Sequence, residues 1–548
     1  MFSLFIRKKW GLDYILSSFL AFSAMIVGAA LLTNLYAIVG GDNLFGLFTY
    51  CLAILSSLAF YALLRMQNTA NKIDWLSLDS IMALGFFLGV FLLFVYVPIS
   101  NSATAHFISF LSPGEDNISH FSLMHFIYKY ATPAYGHSEG IWSGLANYPQ
   151  GLHAFFAYLA HGISQFITMT NGRLLRFYYL SESLIAAMFI FFWVRTALSL
   201  INHKNTKNLL FFGLLFGMLF MGIVAPLLVN GYFAQLGAFV FFAITASALT
   251  QQKPDINNYS LYAVELGFLG VTVTWYLGSI LFIPLIIYLL YKSNTYQKKH
   301  IFLMLPLFAI AFLTPVFHIF MGDSAVAITS VAKEPFDISV FFYVILFFVA
   351  SASMFTKEYI KNTAFFILFV GSVGFLFGFG VVQFVLNNTL NYFFYKLLMM
   401  VVPLSLLWAI PIFRVKKHQL ISFIMIVLVA GSLVPLYERN YNAFVAPFYT
   451  NTSYKAFPFP SDIQALVDNK LPYKDGVYIA NCALVPQYFI NRWIGAMMLT
   501  QSDSRRTLEL VSLTSGVHRS DWNRYSDQQP TKPKLIFSSY CAPGELNF

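Results

Sequence analysis

Charge is what this chain has least of. Only 10% of its 548 residues are Asp, Glu, Lys or Arg, where soluble globular domains carry roughly 25%. Cysteine is scarce too, with three residues, which excludes a disulfide-dense secreted scaffold. No repeat of 20–50 residues is visible. What is there instead is apolar. Hydrophobic residues make up 58% of the chain, 61 of them phenylalanine, and the mean hydropathy is +0.68. A chain this long could not hide so much apolar surface in one aqueous core. Runs close to the roughly 20 residues that cross a bilayer recur along it. The sequence therefore predicts an all-α polytopic membrane protein and excludes a soluble enzyme, a nucleic-acid module and a disordered tail. The net charge of +10 is no sign of nucleic acid, because many basic residues sit in short loops between the runs.

The runs fall at 14–38, 43–65, 78–100, 177–200, 209–229, 232–250, 260–274, 277–292, 301–320, 337–355, 363–385, 393–412 and 419–437. The first, Tyr14 to Val39, is too long for a signal-peptide core and lacks a cleavage site, so it reads as a retained span. The run from Leu152 to Met169 is ambiguous, and charge decides it. If 152–169 does not cross and Met1 is cytoplasmic, the cytoplasmic segments collect Arg7, Lys8, Lys9, Arg65, Lys72, Arg195, Lys204, Lys207 and the later basic loops. The opposite loops then hold only Lys129, Arg173, Arg176, Lys333 and Lys396. Letting 152–169 cross inverts every later loop and turns this bias the wrong way. The expectation is about 13 transmembrane helices, with 152–169 lying on the outer surface as an interfacial helix.

Two large features then face outward. One is the loop 101–177, too long and too aromatic to be a plain connection. The other is the segment 438–548, which reads as a small extracytoplasmic α/β domain after the transmembrane domain 1–437. It has a helix capped at Ser461 and Asp462, a strand Gly476–Ala480, a helix after Cys482 and a strand Lys534–Tyr540. Cys482 and Cys541 each follow a strand. Parallel neighbouring strands would bring them within reach of a disulfide in an oxidising compartment.

The sharpest cluster lies in the outer loop: Ser112, Pro113, Gly114, Glu115, Asp116, Asn117, Ile118, Ser119 and His120. Its paired carboxylates suit a general base or a divalent cation (Mg or Mn) held by Glu115 and Asp116. The plainer reading is a Pro-Gly turn with Asp capping the next helix. His120, His125, His137 and His153 share the loop, but the spacing of His120 and His125 does not put them on one helical face, so a zinc site is unsupported. His153 ends the run Tyr148-Pro149-Gln150-Gly151-Leu152-His153, where Pro and Gly set the start of the interfacial helix. Arg173 and Arg176 follow that helix, just before Glu182, and Lys396 sits among Tyr392, Phe393, Phe394 and Tyr395. Basic residues on the outer face run against the inside bias. Binding a phosphate or an anionic headgroup is one reason for them, and snorkelling to the interface is the other. Asn230 to Gln235, after Pro226, reads as a tight hairpin. Glu265 is an unassigned intramembrane charge, and His318 and Asp323 lie near the same outer surface.

Together these features resemble the GT-C superfamily of polyprenyl-phosphate-sugar-dependent glycosyltransferases. Glu115-Asp116-Asn117 is similar to the acidic motif of that family's early outer loop. The 148–153 run and the Pro226–Gln235 hairpin are similar to patterns of its arabinofuranosyltransferase-like branch. The family places its acidic loop after the first span, whereas here it follows the third. The resemblance implies an inverting sugar transfer from a polyprenyl-phosphate donor to a glycan, lipid or protein acceptor at the outer face, without nucleic acid. It makes Asp116 or Glu115 the base and Arg173, Arg176 or Lys396 the phosphate ligand. His120, Tyr148, His153, Tyr392 and Tyr395 would then contact substrate, and a divalent cation would be optional. The setting it implies is a bacterial inner membrane with a cytoplasmic N-terminus. A transporter or flippase, and an oligosaccharide polymerase or ligase relying on arginines, are the alternatives. Three sequons, at Asn117, Asn387 and Asn451, do not settle the host.

Overall fold

A computed structural model describes residues 2–10, 12–41, 43–65, 77–100, 107, 111, 115–135, 149–201, 206–229, 231–250, 258–292, 298, 301–302, 304–313, 363–387, 392–410, 477–479 and 535–537. The helices are α1 (Phe2–Trp10), α2 (Tyr14–Val39), α3 (Leu44–Arg65), α4 (Leu78–Ser100), α5 (Glu115–Tyr130), α6 (Gly151–Ser164) and α7 (Asn171–Leu200). Then come α8 (Thr206–Leu219), α9 (Ala225–Val229), α10 (Phe233–Thr250), α11 (Asn258–Trp275), α12 (Ile283–Lys292), α13 (Thr363–Asn387) and α14 (Tyr392–Ala409). Two three-residue strands, β1 (Val477–Ile479) and β2 (Leu535–Phe537), pair in parallel with Tyr478 opposite Ile536. Cys482 and Cys541, expected as a disulfide, lie just beyond them, outside the described residues.

The described chain is almost entirely helical, and among its residues eight helices are long and apolar enough to cross a membrane. That is the make-up of a multi-pass membrane protein. The runs expected at 260–274 and 277–292 share one unbroken stretch, Tyr259–Lys292, but not one straight helix: the Phe282 ring lies 5.8 Å from the Phe268 ring, so the chain folds back between the two runs. The middle of the stretch is a 3-10 segment, Tyr276–Phe282, entered through the non-helical backbone of Trp275. The runs at 301–320 and 393–412 contain shorter apolar helices, Met304–Leu313 and Phe393–Trp408. Those at 337–355 and 419–437 lie outside the described residues. Helix α6, at 14 residues, spans about 21 Å, too short for a hydrocarbon core of about 30 Å.

Helix α7 forms the axis of the bundle. From Ile185 to Leu198 it is buried on all sides, which is how a uniformly apolar helix sits when neighbours surround it. Helices α10 and α11 approach closely because Gly270 of α11 lies where any side chain would enter the Phe241 ring, and Gly267 meets Thr245 in the same way. Small residues at such a seam let dispersion contacts do the work that water does for soluble helices. Pro226 leaves its mark upstream. With no N–H and a ring that crowds the carbonyl of Gly222, it cannot continue the ordinary ladder, and the turn before it, Phe220–Val224, widens to a π-helix. Pro403 lies inside α14, which runs on through it, and the Trp193 indole donates to the Pro403 carbonyl at 3.0 Å.

One buried polar clasp ties four elements together. Asp13 caps α2, accepting from the Leu16 amide at 2.9 Å. Its other oxygen accepts from the Ser80 hydroxyl at 2.8 Å and the Ser77 hydroxyl at 3.1 Å, and lies 3.5 Å from the Arg195 guanidinium. Arg195 Nε donates back to Ser80 Oγ at 2.9 Å, and its Nη1 reaches Ser247 at 3.4 Å. Arg195, counted above among loop charges, is therefore a structural residue, buried beside its partner. Ser80→Ala should cost about 1–2 kcal/mol, because it orphans one donor and one acceptor in a buried network. Thermal unfolding in detergent checks this, and an unchanged midpoint would remove the clasp from the stability account.

Candidate functional site

The loop residues singled out by sequence converge at one end of α7, α10 and α14. Glu115 and Asp116 do not form a turn ahead of a helix: they are its first two residues. Carboxylates are favoured there by the exposed amides and the positive end of the helix dipole. Asn117 follows and turns inward, accepting from the Tyr178 hydroxyl of α7 at 3.2 Å. One turn on, His120 faces α6. Its Nδ1 lies 2.9 Å from Nε2 of His153, and the two rings are nearly parallel, with centroids 5.0 Å apart.

What assembles this site is the hairpin between α9 and α10. Gly231 has φ of +77°, a left-handed conformation that glycine adopts without cost. Any β-carbon there would collide with the backbone of Asn117, so the hairpin rests directly on the acidic helix. Phe233 stands edge-on to His153 at 5.3 Å and to Tyr178 at 5.6 Å, closing the floor of the site. Tyr232 presents its ring face to Lys396, with Nζ 4.2 Å from the centroid, a cation–π contact that gains strength when desolvated. Gln235 donates to the Lys396 carbonyl at 2.9 Å. The Lys396 ammonium lies 3.8 Å from Asp116 Oδ2; the lysine side chain is 3% exposed and the aspartate side chain 39%. A half-open carboxylate thus stands against a buried cation.

Burial and the Lys396 charge push His120 down to about 3. Burial and the neighbouring His120 also hold His153 well below the usual imidazole value. The contact between the rings adds a limit of its own. One nitrogen must donate and the other accept, and protonating both rings would set two donors face to face. Burial thus favours the neutral pair at pH 7. A stability consequence follows. Below pH 6.5 the unfolded chain takes up protons that the folded pair refuses, so stability falls as pH drops from 6.5 towards 3. The slope reaches about 1.4 kcal/mol per pH unit for each group. Melting of the solubilised protein at pH 7 and pH 5 should show the loss, and it should shrink in His120→Phe/His153→Leu. An equal loss in that variant would put the cause elsewhere.

The 148–153 run has a structural task beside the histidine pair. Gln150 Oε1 accepts from the Ala134 amide at 2.6 Å, and the Gln150 amide donates to the Tyr135 hydroxyl, which itself donates to Asn34 of α2 at 3.1 Å. Burial raises Tyr135 above the ordinary phenol range. Gly151 lies where a side chain would strike Ala30 of α2, so α6 begins in close contact with α2.

Asp116, His120, His153 and Lys396 are thus brought together. Arg173 is not part of that group: it is exposed and its Nη1 turns back on the Thr168 carbonyl at 2.7 Å. Arg176 lies half-buried on the same helix, 6.0 Å from the Phe107 ring centroid, with Nη1 on the Gly172 carbonyl at 3.3 Å. Tyr395 packs on Phe394 and Tyr392 heads α14. Glu265 is buried in α11. Tyr148, His137, His318 and Asp323 lie outside the described residues. The Lys396 ammonium stands on the Oδ2 side of Asp116, and among the described residues no group of three Asp, Glu, His or Cys side chains converges.

Sequence reasoning named Asn117 and the Asn230–Gln235 hairpin as motifs without giving Asn117, Tyr232, Phe233 or Gln235 a role, and it missed Tyr178. Gln235 carried the usable signal, an amide two residues into an apolar span. Glu182 is a further surprise. It is wholly buried in α7, and neither carboxylate oxygen has a hydrogen-bond partner among the described residues. No protein-family model, curated protein or solved structure matches the chain.

Proposed function

We propose that the chain is a membrane glycosyltransferase of the GT-C kind, moving a sugar from a polyprenyl-phosphate donor to a glycan, lipid or protein acceptor at the outer face. The observation that carries this reading is the Asp116–Lys396 pair: a half-exposed carboxylate and a buried ammonium, 3.8 Å apart, at the loop end of an apolar bundle. Asp116 takes the proton of the acceptor hydroxyl as its oxygen attacks the anomeric carbon. The bond from that carbon to the phosphate oxygen breaks with inversion, and the Lys396 ammonium stabilises the charge gathering on the departing phosphate. The His120–His153 pair, buried behind Asp116, ties α5 to α6 and so holds the acidic helix in place. No step runs through a metal. Arg173 and Arg176 leave the phosphate role, which falls to Lys396. About 13 spans, a C-terminal extracytoplasmic α/β domain, a cytoplasmic N-terminus and a bacterial inner membrane complete the reading.

Glu182 favours a second reading. A carboxyl group buried within a span is costly and marks ion or proton pathways in transporters, so a transporter or flippase of a lipid-linked cargo remains the rival. One comparison separates the two. Surface glycans and glycolipids of cells carrying the wild type, Asp116→Asn or Glu182→Gln are weighed by mass spectrometry, with membrane levels matched. A single sugar missing with Asp116→Asn and present with Glu182→Gln supports transfer. The reverse pattern, or an unchanged Asp116→Asn profile, overturns it.

A further inference from the structure

Helix α6 has two unlike ends. Its first half, Gly151 to Ala157, is buried in the protein. Its far end carries Ile163, then Phe166 and Ile167 in the turn that follows, exposed by 39%, 89% and 52%. Single exposed apolar residues are ordinary on any surface, but three on one knuckle form a patch that wants a partner.

The neighbouring helix identifies the partner. Tyr158 of α6 packs on Phe48 at 5.4 Å, and its hydroxyl lies 3.2 Å from Thr49 Oγ1; one turn on, His161 packs on Phe45 at 5.0 Å. Phe45, Phe48 and Thr49 belong to the first turns of α3. Further along, α3 exposes Tyr50, Ile54, Leu55 and Leu58, side chains that a span of this composition turns to lipid. The far end of α6 is therefore level with the place where α3 enters the bilayer. Arg173 stands beside the knuckle, exposed and folded back on the Thr168 carbonyl, a cation placed where headgroup phosphates would lie.

The geometry points to a lipid anchor: Ile163, Phe166 and Ile167 insert into the leaflet that adjoins the start of α3, with Arg173 at headgroup level. Helix α6 then acts as a strut. His153 sits in its first turn and the anchor at its last, ten residues or about 15 Å along the axis. The lipid boundary thereby sets the height of the His120–His153 pair, whatever reaction that site performs.

The test uses the full chain with Cys51→Ala, Cys482→Ala and Cys541→Ala, reconstituted in phosphatidylcholine–phosphatidylglycerol vesicles. A nitroxide is attached at Phe166→Cys, and separately at Ile167→Cys and Ile54→Cys. Collision with oxygen, which concentrates in lipid, is compared with collision with a nickel chelate, which stays in water. The expected result is oxygen exceeding the chelate at positions 166 and 167, as at the lipid reference 54. Chelate exceeding oxygen would place the knuckle in water and overturn the inference. An immobile label reached by neither would mean that protein, from this chain or a second copy, covers the knuckle, and would overturn it equally.

Discussion

Asp116→Asn should abolish most sugar transfer, by about 10²–10⁴-fold, the usual contribution of a positioned general base. The substitution keeps shape and helix position but removes the lone-pair charge that accepts the hydroxyl proton. It also removes the anion facing Lys396, and a buried cation left without its partner costs stability. Those two effects can be told apart. In Asp116→Asn/Lys396→Met the buried cation is gone as well, so the thermal midpoint should recover towards that of the wild type while transfer stays lost. Release of polyprenyl phosphate from a synthetic donor by the protein in vesicles reads the first quantity, and melting in detergent reads the second. Recovery of both together would reduce Asp116 to a structural ion-pair partner. Near-normal transfer by Asp116→Asn alone would end its role as base.

The largest structural effect expected is at Gly231. An alanine there would hold a left-handed backbone at a cost of about 1–2 kcal/mol. Its β-carbon would also be driven into the backbone of Asn117, which cannot swing aside as a side-chain tip can. The total should exceed about 2 kcal/mol, and Gly231→Val should be worse. Because Tyr232, Phe233 and Gln235 follow directly, the damage should reach Lys396 and the histidine pair, so activity should fall with stability. Gly28→Ala is the matched control. Nothing lies within 4 Å of its added carbon, and inside α2 an alanine gains about 1 kcal/mol in helix propensity. Equal melting of Gly231→Ala and the wild type would mean that the hairpin does not rest on Asn117 as described.

The helical, membrane-spanning character of the chain was legible from composition, because a residue's preference for lipid is nearly additive along a run. The short helix α6 was legible too, as an apolar run behind Pro149 and Gly151. Its extent was overestimated: 152–169 was expected, and the helix stops at Ser164, where Gln165 and Phe166 leave it. The 3-10 segment Tyr276–Phe282 between the runs 260–274 and 277–292 was hidden, since its Gly-Ser pair and the proline after it read equally well as the start of an ordinary helix. At the site, the sequence pointed to Asp116, His120, His153 and Lys396 one by one. It gave no sign that His120 would pair with His153 rather than with His125, because that pairing is made across two helices and no local spacing encodes it.

The division has a physical basis. Hydropathy, helix-start chemistry and turn residues act within a few positions, and so the sequence by itself determined that this chain is a helical bundle for a membrane. Charge pairing and close packing act through space. Only the tertiary structure decided that Arg195 closes a clasp on Asp13, that the Gly231 hairpin presses on Asn117, and that Lys396, rather than Arg173, stands against Asp116.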